Sequence, residues 1–132
     1  MNEMKIYFPG GKKVYADFKK FTHKTDQPSY AGGEGAAPAP FELFLTSIGT
    51  CAGIFVLEFC QNRGIDPESI EIIQTHEVDP KTRMIKKVNI DIKLSDSFPE
   101  KYKKAVIHSA HLCAVKKHME IPPEFNVFTS SP

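Results

Sequence analysis

Apolar and polar residues alternate most regularly near the middle of the chain. Val88, Ile90, Ile92 and Leu94 interleave with Asn89, Asp91 and Lys93, a period of two that predicts a half-buried strand over Met84–Leu94. Ile70–Val78 is a second apolar run, and Asp79-Pro80-Lys81-Thr82-Arg83 between them reads as the turn of an antiparallel hairpin. Nearer the start, residues 4–8 and Lys13–Phe18 flank a Pro9-Gly10-Gly11 turn. With Phe21–Lys24 they make a three-stranded meander. Leu43–Leu57 is apolar on every side and has no alternation, so it predicts a buried helix. That helix starts at Pro40, a residue suited to a first helical turn, and Glu42 lies at the end that favours negative charge. It runs to Arg63, with Gly64 as its stop. A second helix is expected from a cap at Asp96 or Ser97 to about Met119, closed by Pro122-Pro123. Phe125–Thr129 is expected as a last strand. The order β-β-β-α-β-β-α-β places the chain in the α+β class.

A helix apolar all round must be covered all round, and 132 residues supply little material to do so. We therefore expect one domain, residues 1–132, that pairs with a second copy around this helix. Ser47, Gly49, Ala52 and Gly53 would let another backbone come close. The same run, closed by Glu42 and Glu58, is about 15 residues long against the ~20 that span a bilayer, so no membrane span is expected. The chain turns at Pro9 before any long apolar stretch, which argues against a secretory signal. Apolar residues make up 41% and charged residues 25%, ordinary for a globular protein. A net charge of +1 gives no field for nucleic acid.

Three cysteines without a signal peptide imply a reducing cytoplasm, where a disulfide is transient and catalytic rather than structural. Cys51 and Cys60 share the first helix. Nine residues put them ~13–14 Å apart along its axis and on opposite faces, too far to bond. If Cys51 has a partner in its own chain, it is Cys113. Cys60 reads as packing. His108, His111 and His118 beside Cys113 raise the question of zinc, but their spacing fits neither a four-ligand nor a three-ligand site well. We expect no metal there and give the histidines a surface or interface role. Gly32-Gly33 lacks the lysine and the further glycines of a phosphate loop and reads as a turn.

Two segments together resemble a known family. Gly32-Gly33-Glu34, then Pro38-Ala-Pro-Phe-Glu-Leu-Phe-Leu, then Ile48-Gly-Thr-Cys51 is similar to the first cysteine motif of the OsmC/Ohr family. His111-Leu-Cys-Ala-Val-Lys-Lys-His118 with Pro122-Pro-Glu-Phe125 is similar to its second. The resemblance implies an OsmC-like fold, in which antiparallel sheets wrap around two central helices in an intertwined homodimer. It implies a thiol peroxidase for organic hydroperoxides, and for hydrogen peroxide less well. Cys51 would be the peroxidatic thiolate. Cys113 would resolve its sulfenic acid as a disulfide, to be reduced by a dithiol such as a lipoyl group or by a small thiol. Sulfur carries both electrons, so no cofactor is implied. Better-known members hold the thiolate with an arginine from the N-terminal strands and hold that arginine with a glutamate near the helix start. Here the only arginines are Arg63 and Arg83. Lys12 or Lys13 best matches the strand position, with Lys13 the candidate thiolate partner. Glu42 falls one residue after the glutamate position, and its other role is charge at the helix start.

Two further readings use the same residues. A sulfur carrier would hold a persulfide on Cys51 without the arginine and glutamate. A small-molecule-binding dimer would use the cysteines only for packing.

Overall fold

The computed structural model describes residues 3–132, which form two compact units, one ending at Thr46 and one running from Ser47 to Pro132. The first unit opens with the antiparallel meander, β1 Met4–Gly10, β2 Lys13–Phe18 and β3 Phe21–Thr25, in the order β1-β2-β3. Its register pairs Ile6 with Ala16, Val14 with Thr25 and Phe18 with Phe21. One face is therefore apolar, and Met4, Ile6, Phe8 and Phe21 on it are exposed.

The loop after β3 is organised by Asp26, which is only 1% exposed. Its carboxylate accepts backbone N–H groups from Gln27 (2.7 Å), Glu34 (3.3 Å) and Ala36 (3.1 Å). Those bonds hold its pKa below the usual carboxylate value, with the Ala36 N–H the largest cause. The expected plain turn at Gly32-Gly33 is thus a folded loop. A Cβ on Gly33 would run into the backbone carbonyl of Gln27.

The long helix α1, Pro40–Asn62, starts where the proline fixes it. Glu42 reaches back to accept the Ala39 N–H at 3.2 Å, one half of a capping box. Gly64, at φ 64°, accommodates the left-handed turn just past the helix end. At 23 residues α1 exceeds the expected apolar run, and by length and composition alone it is long enough to cross a bilayer. The expectation of a fully buried helix is corrected in the chain by itself. Ile48, Ala52, Val56, Phe59 and Cys60 are buried, whereas Phe41, Phe44 and Ile54 are not.

In the second unit β4 Ile70–Val78 and β5 Ile85–Leu94 form the expected hairpin, paired from Ile70–Leu94 to Val78–Ile85. Asp79 closes its turn by accepting the N–H groups of Lys81 (2.8 Å) and Thr82 (3.1 Å). Val56, Phe59, Phe98 and Val106 form the core, with Ile72, Ile92 and Leu94 of the hairpin packed against it.

The second expected helix is three pieces. A single 3-10 turn at Glu100–Tyr102 leads into α2 Lys103–Ala110, and after a break α3 runs over Ala114–Glu120. The expected strand over Phe125–Thr129 is absent. These residues carry no regular structure and are exposed, because a strand needs a hydrogen-bonding neighbour and the described residues offer them none.

Candidate functional site

Cys113 sits in the break between α2 and α3, and its backbone is extended at φ −55°, ψ 125°. A helix that restarts after an extended residue has no earlier carbonyls for its first N–H groups. Those of Ala114, Val115 and Lys116 are therefore free to meet sulfur. Cys51, in α1, faces the N–H groups of Val115 and Ala114 and the Cys113 thiol, each of which favours its thiolate. The Lys116 and Val115 N–H groups act on Cys113 in the same sense. Its sulfur also lies 4.0 Å from the Ile48 carbonyl oxygen, one turn before Cys51 on α1.

The surroundings drive the two thiols apart. The Val115 N–H, helped by the Cys113 thiol and the Ala114 N–H, outweighs burial and holds the Cys51 pKa below the usual thiol value. Burial is the largest influence on Cys113 and pushes its pKa up, and the bond to Cys51 adds to the rise. Cys51 is partly exposed, whereas Cys113 is 2% exposed. The surroundings thus favour the thiolate on Cys51 and the protonated thiol on Cys113. Cys60 is fully buried, and its pKa is raised by that burial. It lies apart from the pair and packs, as expected.

The other expected site residues have clear local partners. Lys13 donates to Glu34 at 3.0 Å, and that bond raises its pKa. Glu42 is engaged at the helix start with Ala39. His111 accepts a bond from Lys116 at 2.7 Å, with its Nδ1 as the acceptor because an ammonium only donates. His118 Nδ1 lies 2.7 Å from the Ala114 carbonyl. Among the described residues no group of three or more His, Cys, Asp or Glu is placed to hold a metal. Reading the residues one by one missed the main feature of the site, the backbone N–H groups at 114–116. They have no side-chain signal, and Leu112 and Ala114 on either side of Cys113 do not mark them.

Beside Cys113 the second unit contains a cavity of about 430 Å³, lined mainly by Ile48, Ala52, Ile90, Ile92 and Ile107, with His111, Lys116 and Asp91 as polar groups.

A family profile described as OsmC-like protein matches residues 32–128, a span that contains Cys51, Cys60 and Cys113. No curated protein matches the chain. Among solved structures, a candidate osmotic stress induced and detoxification response protein from Psychrobacter arcticus 273-4 superposes with a TM-score of 0.72. It is 24% identical over 89% of this chain and 87% of its own. An OsmC like protein from Mycoplasma pneumoniae gives 0.65 at 10% identity, covering 91% and 87%. A Legionella pneumophila protein described as an organic hydroperoxide resistance protein OsmC, predicted redox protein and regulator of sulfide bond formation gives 0.55. It is 17% identical over 90% of this chain and 88% of its own. At these identities the structures establish a shared α+β fold.

Proposed function

Since the chain belongs to the OsmC-like protein family, we propose that it is a thiol-dependent peroxidase acting on organic hydroperoxides, and on hydrogen peroxide less well, through Cys51 and Cys113. The observation that carries this reading is a pair of neighbouring thiols whose surroundings lower the pKa of Cys51 and raise that of Cys113. In the first step the Cys51 thiolate attacks one peroxide oxygen. The O–O bond breaks, Cys51 becomes a sulfenic acid, and the alkoxide leaves and takes a proton from water. In the second step the Cys113 sulfur attacks Cys51. The S–O bond breaks, and hydroxide leaves as water with the Cys113 proton. The Cys51–Cys113 disulfide is then reduced by a dithiol such as a lipoyl group or by a small thiol. The N–H groups of Val115 and Ala114 stabilise the thiolate at the start of the cycle and again at its end.

Lys13 is proposed as the charge that replaces the family arginine, with Glu42 as the carboxylate near the helix start. The Glu34 bond keeps Lys13 protonated. The proposed partner is a second copy of the chain, in the cytoplasm, with no nucleic acid or membrane involved. Supporting the dimer are Phe41, Phe44 and Ile54 on α1, and Phe125 and Val127 in the C-terminal segment at 87% and 93% exposure, since a lone soluble chain rarely leaves so much apolar surface uncovered.

The test is hydroperoxide consumption by purified variants supplied with a dithiol. Cys51→Ser is expected to abolish it. Cys113→Ser is expected to keep a first turnover and to halt or slow cycling, because the sulfenic acid has lost its resolving partner. Equal rates for the wild type and Cys51→Ser would refute the reading.

A further inference from the structure

The cavity beside Cys113 does not reach the other thiol. Its wall includes Cys113 but not Cys51, and it is mostly apolar, through Ile48, Ile90, Ile92 and Ile107 among others. Lys116 and His111, bonded to each other, lie at its polar part. A volume of about 430 Å³ is within the range that takes small organic molecules. We infer that this cavity is where the reducing thiol enters, that it attacks Sγ of Cys113, and that Cys51 is the sulfur expelled; the inference rests on the two-cysteine reading above.

Disulfide exchange depends on which sulfur is attacked and on which leaves. The attacking thiolate forms a new S–S bond to Cys113 as the Cys51–Cys113 bond breaks, and the bonding pair leaves on Cys51. The lower-pKa thiol leaves faster. Cys51 is that thiol, because its thiolate is received by the Val115 and Ala114 N–H groups. The second thiol of a dithiol then attacks the sulfur of the reductant in the mixed disulfide. The reductant departs as its own disulfide, and Cys113 regains a proton. Leaving-group preference and cavity position therefore select the same sulfur for attack.

The test starts from the Cys51–Cys113 disulfide made with diamide, so it does not depend on peroxidase activity. The oxidised wild-type protein is treated briefly with 1-butanethiol and quenched with iodoacetamide, which caps the freed sulfur. Peptide mass spectrometry should find the butanethiol adduct on Cys113 and the cap on Cys51. The adduct on Cys51, or an even split, overturns the inference and leaves the peroxidase reading intact. Failure of diamide to form this disulfide overturns both. Ile107 is 51% exposed at the cavity wall, so Ile107→Trp should fill the space without unfolding the chain. It should slow butanethiol reduction of the disulfide at least fivefold, and reduction at the wild-type rate would also contradict the cavity route.

Discussion

Cys51 and Cys113 differ through a few N–H groups and a difference in burial, and each of these can be altered separately. The reactive form of a thiol is the thiolate, so a lowered pKa keeps Cys51 reactive as the pH falls. Alkylation of Cys51 by iodoacetamide should reach half its maximum at a lower pH than that of Cys113, whose thiol is pushed up by burial. Coincident profiles would remove the distinction between attacker and resolver. Ala114→Pro tests the cause. The position is the first of α3 and follows an extended residue, which suits proline, so the substitution deletes one N–H and leaves the helix in place. The Cys51 alkylation profile should move to higher pH while helix content is unchanged. Cys60→Ser should keep turnover and destabilise the core by about 1–3 kcal/mol, read from chemical denaturation, because it buries a hydroxyl among apolar neighbours.

At the scale of elements, the loop around Asp26 and the break before α3 hold the least obvious information. Gly33→Ala should destabilise the chain by about 1–3 kcal/mol, because the added carbon meets the Gln27 backbone rather than a side chain that can swing away. Asp26 adds a pH dependence. Its folded pKa is depressed, so its contribution is complete above the unfolded value near 4 and is lost as the pH falls through the lower, folded value. Thermal melts of wild type and Asp26→Asn should therefore converge in acid. Period-two patterning located the hairpin, the Pro9-Gly10-Gly11 turn located the meander, and Pro40 and Gly64 bracketed α1, because these signals are local. The break at 111–113 has no proline or glycine to mark it. Within it Cys113 meets the Ile48 carbonyl, a contact 65 residues away in sequence that local patterning does not show. The missing strand at Phe125–Thr129 has the opposite cause: its residues favour a strand, but a strand forms only with a neighbour to pair with.

For the whole molecule, apolar residues on the meander, on α1 and in the C-terminal segment are exposed in the chain by itself, and the proposed second copy would cover them. Sedimentation should find a dimer at micromolar concentration, and deletion of residues 123–132 should shift it toward monomer. A stable folded monomer of the intact chain would contradict the dimer and leave the thiol chemistry standing. That chemistry joins a thiol on α1 to one in the break before α3, and its signature is a stoichiometry. The reduced protein is mixed with less than one equivalent of cumene hydroperoxide and no added thiol. Peroxide loss, free thiols and disulfide-linked peptides are then counted. The account requires two thiols lost for each hydroperoxide consumed, with Cys51 and Cys113 in one disulfide and Cys60 still free. Hydroperoxide left unconsumed with all three thiols intact would contradict it.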